Sequence, residues 1–301
     1  LQVLDTNTES LKDAILPNTP FDYSNWKIHC MTKDSQNNLW VGAYQTGIMV
    51  VPRQMYGFKS MKLSSKFSTT ENSGCITAVL KDQKTGDIWV GADGGGVFNI
   101  MGNKVYTSRN SGLTNDSIMA LAMDKRGTLW IGTYLDGIFY KTEGGVVEKV
   151  KEDGHHHSRK IAALVYDEKR DRLYACTYEN EMLMISADSK TVTRRVTRKN
   201  MTCSGTLTLD SEDDVLWVGL EDGIVKYDLT LNKFEIIKQG EDYQHGVPLC
   251  TYNDGETLWI GTRNGLISYN SMDGSTVQYS EADGLPGNSI MSIQKDDAGR
   301  L

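Results

Sequence analysis

Short hydrophobic segments alternate with polar turns along the whole chain, and the alternation is periodic. It centres on a four-residue phrase, Leu or Ile, Trp, Val or Ile, then Gly, at residues 39–42, 88–91, 129–132, 216–219 and 258–261. A turn rich in Asp, Asn, Thr and Gly precedes each copy, and a Gly followed by hydrophobic residues comes shortly after it. Such turn residues accept the backbone conformations of hairpins, so each phrase is predicted to be a β-strand between two hairpins.

A degenerate copy at 173–176, Leu-Tyr-Ala-Cys, fills the one gap in the series. Successive Trp or Tyr positions are then 49, 41, 44, 43 and 42 residues apart, and 301 residues divided by seven gives 43. A period of roughly 40–50 residues is typical of β-propeller blades. We predict an all-β fold, a seven-bladed β-propeller of four-stranded antiparallel blades, in which strand B carries the Trp.

The predicted A strands, aligned on the residue before each turn, share two columns. The first is mostly Ile and contains Ile28, Ile76, Ile118, Ile161, Ser204, Val247 and Ile290. The second is mostly small and contains Cys30, Ala78, Ala120, Ala163, Thr206, Leu249 and Ser292. Small side chains suit inner strands that crowd around a central channel, and the Trp of strand B is predicted to pack between neighbouring blades.

The two ends of the chain are predicted to complete one blade together. There are seven A strands but six B phrases, and the chain stops at Leu301, the first position of a seventh phrase. Residues 1–5 resemble strand C and residues 11–16 can serve as strand D. We therefore predict a single domain over 1–301, closed by strands from both termini, with blade 7 divided between 1–16 and 288–301. The chain is expected to be a fragment of a longer two-propeller region.

The net charge of the chain disfavours some classes of binding partner. A net charge of -7 and a pI near 5.3 disfavour contact with nucleic acid or with an anionic membrane surface, because both attract basic patches. A neutral or polar small ligand fits better, and no cofactor is predicted.

Five cysteines leave at least one thiol without an intrachain partner. We expect all five to be buried, unpaired and packed as small hydrophobes: Cys30, Cys75, Cys176, Cys203 and Cys250.

Residues 124–133 match the pattern D-x-x-G-x-L-W-[IV]-G-T throughout. With the other copies, this resembles the two-component regulator propeller repeat over essentially the whole chain. The resemblance implies one propeller of the periplasmic sensor region of a Bacteroidetes-type hybrid two-component histidine kinase, an inner-membrane protein. It also implies a second propeller and a C-terminal β domain in the parent chain, a homodimer, and recognition of glycan fragments. Kinase activity would belong to the parent and not to these residues.

Strand directions place the B-to-C turns and the D-to-A loops on one face of the predicted disc, around the channel mouth. The candidate ligand-binding residues on this loop face are Trp26, Tyr44, Asp93, Tyr134, Asp136, Tyr178, Glu179, Glu221, Tyr243, His245 and Arg263. Aromatic rings beside carboxylates suit an oligosaccharide, since a ring stacks on a pyranose and polar groups bind its hydroxyls. The alternative is that these are solvated turn residues.

Three further segments have a simple structural interpretation beside a functional one. The histidines at 155–157 suggest a metal, but adjacent residues of an extended chain point in opposite directions, which favours a solvated loop and no metal site. The basic residues at 194–195 and 198–199 are predicted to lie on the outer face of a D strand, with partner docking as the alternative. The insertion at 52–74 either packs on its own blade or contacts a second propeller or a dimer mate.

Two other classes of function compete with a ligand sensor. One is a protein-interaction or dimerisation scaffold, which would present a large exposed apolar patch and no pocket. The other is a propeller lyase, which would place a His and a Glu with perturbed pKa values together at the channel mouth, and its loop candidates are His245 and the histidines at 155–157. The leading prediction is a non-catalytic sensor propeller.

Overall fold

The computed structural model describes residues 2–5, 10–13, 28–33, 39–43, 47–51, 63, 75–142, 144–152, 159–239, 245–295 and 301. The chain divides into two compact units, Leu1–Met61 and Lys62–Leu301. Both contain antiparallel β-sheets, as the periodic pattern predicts.

The first unit contains two small sheets. Strands β1 (Gln2–Asp5) and β2 (Ser10–Asp13) pair antiparallel, so the two strands predicted near the N-terminus exist and pair with each other. Strands β3 (Ile28–Lys33), β4 (Leu39–Ala43) and β5 (Gly47–Val51) form a three-stranded antiparallel sheet with the Trp phrase on its middle strand.

The second unit contains five four-stranded sheets, each an antiparallel meander in chain order. We call them blades 2 to 6 and their strands A to D. Blade 2 has β6 (Cys75–Lys81), β7 (Ile88–Asp93), β8 (Gly96–Asn99) and β9 (Lys104–Tyr106); blade 3 has β10 (Ile118–Met123), β11 (Leu129–Thr133), β12 (Ile138–Lys141) and β13 (Val147–Lys149). Blade 4 has β14 (Ile161–Asp167), β15 (Arg172–Thr177), β16 (Glu181–Ser186) and β17 (Thr191–Thr197). Blade 5 has β18 (Cys203–Asp210), β19 (Val215–Leu220), β20 (Gly223–Asp228) and β21 (Lys233–Gln239); blade 6 has β22 (Pro248–Asp254), β23 (Thr257–Thr262), β24 (Gly265–Asn270) and β25 (Thr276–Tyr279). A single-turn 3-10 helix at Glu281–Asp283 follows β25.

The hydrophobic clusters lie between neighbouring blades. Trp130 of blade 3 is fully buried in a cluster with Leu173 and Ile185 of blade 4. Trp217 of blade 5 packs in the same way with Ile260 of blade 6. The predicted packing of the strand B Trp between blades is therefore confirmed, and each blade is stabilised by apolar area that it shares with the next.

In blades 2 and 3 the Gly of the phrase is a point of close approach to the next blade. A Cβ built on Gly132 would lie 2.7 Å from Cγ2 of Ile161, the first-column residue of the next A strand. Between blades 2 and 3, a Cβ built on Gly91 would lie 2.8 Å from Cγ2 of Ile118. Real Cβ contacts do not occur at these distances, so the phrase requires Gly because the next blade's Ile fills the space.

Charged side chains connect the A-to-B turns of neighbouring blades. The Arg126 guanidinium of blade 3 binds both carboxylate oxygens of Asp171 in blade 4. Arg170 in turn lies 2.9 Å from the carboxylate of Asp214 in blade 5. These pairs lie at the ends of the blades opposite to the B-to-C turns, because successive turns of a meander alternate between its two ends.

Two expectations of the sequence analysis were wrong. Residues 288–295, the predicted strand A of a seventh blade, contain no strand; the amide of Ile290 instead donates to the carbonyl of Thr262 in blade 6, at 2.8 Å. Cys176 and Cys203 are buried as expected and Cys250 is partly buried, whereas Cys30 and Cys75 are exposed. Cys75 opens β6, the first strand of its unit, and its neighbours Ile76 and Val79 are exposed as well, 45% and 67%.

Candidate functional site

The B-to-C turns and the D-to-A loops of the second unit meet at one end of the blades. The amide of Tyr134, just after strand B of blade 3, donates to the carbonyl of Ser117, just before strand A, at 2.9 Å. Tyr178 bonds in the same way to Lys160 in blade 4, at 3.0 Å. Glu221 repeats the contact in blade 5 with Thr202, at 3.1 Å. The predicted arrangement of these loops is therefore present in three consecutive blades.

An aromatic pair lies on this loop face. Tyr134 and Tyr178 occupy the same position in successive repeats, and their rings meet edge to face with centroids 5.9 Å apart. The Nζ of Lys160 lies 5.8 Å from the Tyr134 ring centroid, and Tyr134 keeps 39% of its surface exposed. Edge-to-face geometry fixes the ring planes, so the pair presents a rigid aromatic surface beside a cation.

The pKa of the Tyr178 hydroxyl is shifted upward. Desolvation by burial raises this pKa above the ordinary value, and the charges of Cys203, Tyr134 and Glu221 raise it further. A neutral hydroxyl can both donate and accept a hydrogen bond.

A cavity of about 630 Å³ lies between the loops of blades 4 and 5, and Glu179, which follows Tyr178 in the sequence, is part of its lining. Its lining is polar and carries both signs of charge: Glu179, Asn180, Glu181, Thr197, Arg198, Lys199, Asn200, Thr202, Glu221 and Asp222. This volume lies within the range of about 300–1,000 Å³ that small-ligand pockets occupy. Two predicted residues, Glu179 and Glu221, thus line one cavity from two different blades.

Hydrogen bonds hold the rim of the cavity in place. The carboxylate of Glu179 accepts from the amide of Arg159 at 3.0 Å. Asn180 adopts the left-handed backbone conformation, with φ of 63°, and its Oδ1 accepts from the amide of Met201 at 2.9 Å. The same oxygen accepts from the Thr202 hydroxyl at 3.3 Å. These bonds join the B-to-C turn of blade 4 to the loop that leads into blade 5.

An ion-pair network supports one wall of the cavity. The Arg195 guanidinium binds the carboxylates of Glu152 and Glu181, the latter at 3.3 Å. The three side chains are 14%, 6% and 19% exposed, respectively, so the network is largely removed from water. Buried charges of this kind persist only when they are paired, which fixes the position of Glu181 at the cavity wall.

The other predicted site residues lie apart from this cavity. Asp136 pairs with Lys149 at 2.5 Å and also accepts a hydrogen bond from Thr114. Asp93 and Arg263 are exposed at the ends of their B strands, and His245 shares a hydrogen bond of 2.9 Å with Gln278. Trp26, Tyr44 and Tyr243 lie outside the described residues, as do the histidines at 155–157 and all of the insertion except Leu63. Ligand contact by any site residue stays a prediction.

Sequence reasoning missed part of the cavity lining. Arg194 lies on β17, as predicted for the basic run, but β17 ends at Thr197, so Arg198 and Lys199 belong to the loop and line the cavity. Their assignment to the outer face of a D strand was wrong. The signal that could have found them is Asn200, which has φ of 59°, since Asn tolerates the left-handed conformation of a turn.

Two smaller cavities of about 400 and 460 Å³ lie at the A-to-B turns, away from the aromatic pair. In the described part of the chain, no cluster of three or more His, Cys, Asp or Glu side chains is arranged to hold a metal. No described helix is long and apolar enough to span a membrane.

Known proteins resemble this chain in its repeats and its fold. Residues 24–45 and 112–135 match the model of the two component regulator propeller family. No curated protein matches the chain.

Solved structures of similar fold include the extracellular domain assigned to the hybrid two component system BT3049 of B. thetaiotaomicron. It aligns with 99% of this chain at a TM-score of 0.65 and 22% identity. The corresponding domain of BT4673 from the same organism aligns with 93% at a TM-score of 0.60 and 18% identity. The chain covers 40% and 37% of these two structures, so it spans less than half of either. At such identities the likeness establishes an all-β fold of propeller type, and the family match adds that residues 24–45 and 112–135 are similar to the two component regulator propeller repeat.

Proposed function

We propose that this chain is part of the extracellular, periplasmic sensor region of a hybrid two-component regulator, and that it binds a glycan-derived oligosaccharide on its loop face. The observations that carry the proposal are the aromatic pair Tyr134–Tyr178 on the loop face and a polar cavity of about 630 Å³ between the loops of blades 4 and 5. The fold likeness to extracellular domains assigned to hybrid two component systems supports the location. In this proposal the chain performs no catalysis, and kinase activity resides elsewhere in an inner-membrane parent.

The chemistry of the loop face suits a sugar. A pyranose ring presents C–H bonds on its faces and hydroxyls around its edge, so it stacks on an aromatic ring while carboxylates and amides bind its hydroxyls. Tyr134 supplies an exposed ring, and Glu179, Asn180 and Glu221 supply oxygens and an amide at the adjacent cavity. Arg198 and Lys199 would favour an oligosaccharide with an acidic group at the far wall.

The proposed signal follows from the position of the cavity between blades. A ligand that touches Glu179 of blade 4 and Glu221 of blade 5 binds most tightly to the conformation in which both loops are correctly spaced. Such differential affinity shifts the population toward that conformation. In the parent, we propose that the shift changes how the propellers of a homodimer are arranged. A second propeller, a C-terminal β domain and a seven-bladed ring closed by both termini belong to the same proposal.

Isothermal titration calorimetry of the chain and of the whole sensor region, against a library of neutral and acidic glycan fragments, tests the proposal. Saturable binding that falls about tenfold or more in Tyr134→Ala and in Glu221→Gln is the expected result, because truncation of an aromatic anchor typically costs more than 1 kcal/mol. Val146→Ala is the matched control, since Val146 is 73% exposed and lies away from the cavity. Equal affinity in all three variants would exclude this site, and no binding by the whole region would exclude the ligand class.

A second candidate function is an interaction scaffold. Leu231, Ile236 and Val277 lie at the outer edges of blades 5 and 6 and are 67%, 57% and 53% exposed. Exposed apolar side chains of this kind favour protein contact. Analytical ultracentrifugation of the chain separates the two functions: self-association abolished by Ile236→Ser, together with no glycan binding, would favour the scaffold.

A further inference from the structure

The junction between blades 4 and 5 departs from the rest of the repeat. Between blades 2 and 3 and between blades 3 and 4 the phrase ends in Gly because the following A strand places an Ile against it, as Ile161 does at 2.7 Å from a Cβ built on Gly132. In blade 4 the phrase ends in Cys176, and the first-column Ile of the next A strand is replaced by Ser204. Cys203 immediately precedes Ser204 at the start of β18 and pairs with Leu220, as Ile161 pairs with Thr177 in blade 4. At this junction two cysteines therefore stand at the positions that a Gly and an Ile occupy between blades 3 and 4.

The two cysteines belong to one buried cluster inside the molecule. Both cysteines are fully buried, and both belong to the hydrophobic cluster that blades 4 and 5 share. Interaction with Cys203, together with burial, raises the pKa of the Cys176 thiol. Interaction with Cys176 and with the amides of Gly205 and Thr206 lowers the pKa of the Cys203 thiol, although burial opposes it.

We propose that Cys176 and Cys203 form a disulfide that joins blades 4 and 5. They are 27 residues apart in sequence and lie on different sheets, so the bond would close a loop that no β-ladder closes. The inference takes its oxidising compartment from the proposed function, since disulfides persist outside the cytosol. Cys30, Cys75 and Cys250 are predicted to stay reduced.

The chemistry requires a disulfide oxidant such as oxidised glutathione. The Cys203 thiolate attacks one sulfur of the oxidant, forming a mixed disulfide and releasing one glutathione thiolate. Cys176 loses its proton and attacks the Cys203 sulfur, which forms the intramolecular bond and releases the second glutathione. Two cysteine thiols are oxidised and one glutathione disulfide is reduced to two thiols. Because both sulfurs are buried in the folded chain, oxidation is expected while the blade junction is open during folding.

The bond would also hold the candidate site together. Tyr178 and Asn180 follow Cys176 on the turn of blade 4, and Thr202 precedes Cys203 in the loop that bonds to Asn180. A covalent link between these two segments would fix the spacing of the cavity walls without lying in the cavity.

Refolding the reduced, denatured chain in a glutathione redox buffer tests the proposal. The products are alkylated in denaturant and digested with trypsin, which places the two cysteines in separate peptides, 173–190 and 200–226. The expected result is one linked pair of these peptides, with the other three cysteines alkylated. The oxidised chain should melt about 5–10 °C above the reduced chain, because a closed loop of this length lowers the entropy of the unfolded state.

Two variants serve as controls. Cys203→Ser should abolish the linked peptide and remove the difference in melting temperature between redox states, whereas Cys75→Ser should change neither, because Cys75 is exposed and distant from the pair in the sheet order. Full alkylation of Cys176 and Cys203 after refolding, or a link from either to another cysteine, would overturn the proposal. If Cys203→Ser does not fold, the peptide map of the wild-type chain decides alone. Since the oxidant is supplied in the buffer, failure to bind a glycan has no bearing on this outcome.

Discussion

Substitution of Gly132 by alanine is predicted to destabilise the contact between blades 3 and 4. The new Cβ would lie 2.7 Å from Cγ2 and 3.2 Å from Cβ of Ile161, and 3.3 Å from Cδ1 of Leu164. Ile161 is fully buried, so it has little room to move. Forcing a methyl group into a packed core costs about 1–3 kcal/mol. Restriction of the unfolded chain by alanine offsets about 0.4–1 kcal/mol of this cost. The expected net loss is roughly 1–2 kcal/mol.

Urea denaturation followed by tryptophan fluorescence measures this loss, which corresponds to a fall in melting temperature of about 2–8 °C. Gly287→Ala is the matched control, since no atom lies within 4 Å of its added Cβ and its φ is not left-handed. It should raise stability by about 0.4–1 kcal/mol, the gain from restricting the unfolded chain alone. Ile161→Ala alone should cost about 2–5 kcal/mol. The double variant should lose at least about 1 kcal/mol less than the sum, because it removes the clash. Additive losses, or an unchanged Gly132→Ala chain, would refute the packing argument.

Three further predictions concern charged groups. Asp124→Ala should lower the free energy of unfolding by about 3–5 kcal/mol in urea titrations, because the buried carboxylate accepts from Trp130 Nε1 at 3.2 Å and pairs with a Lys at 3.4 Å. Although burial opposes it, hydrogen bonds from neighbouring Lys and Thr side chains lower the pKa of Asp136. The contribution of Asp136 to the free energy of unfolding is therefore present above the unfolded pKa of 3.8 and is lost as pH falls through the folded pKa. Asp136→Asn should flatten the loss of stability below about pH 4. An unchanged pH profile would contradict the assignment. Arg126→Met should remove about 0.5 kcal/mol at low salt and less at 1 M NaCl, because its pair with Asp171 is partly exposed, and a salt-independent loss would point to packing instead.

The repeat made most of the fold predictable from sequence. Each blade is a meander of neighbouring segments, so its strands follow from local alternation and turn residues; the phrase at 129–132, for instance, became β11 at Leu129–Thr133. Packing of the Trp between blades also followed, because a side chain of that size at a fixed period must be buried somewhere. The prediction of a strand around Ile290 was wrong because a strand needs a hydrogen-bonding partner as well as an alternating pattern. The amide of Ile290 donates to the carbonyl of Thr262 instead.

The candidate site was only partly predictable, because a cavity depends on contacts between loops. Tyr178 and Glu221 were found since they follow strand B at a fixed position of the repeat. The contribution of Asn180 depends on its left-handed backbone and on hydrogen bonds to Thr202, 22 residues away, which no periodic pattern encodes. Arg198 was misassigned because an alternating pattern does not reveal the residue at which a strand ends.

The departures from the repeat coincide with the candidate site. Between blades 2 and 3 and between blades 3 and 4, the Gly of the phrase lies against an Ile of the next blade. At the junction between blades 4 and 5, Gly205 has φ of 103°, a conformation that favours Gly, and a Cβ built on it would lie 3.8 Å from the Tyr178 hydroxyl. The Tyr178 hydroxyl therefore lies close to the start of blade 5, at the junction where Cys176 replaces the Gly of the phrase. Blade 4 thus departs from the repeat at the junction whose loops line the cavity.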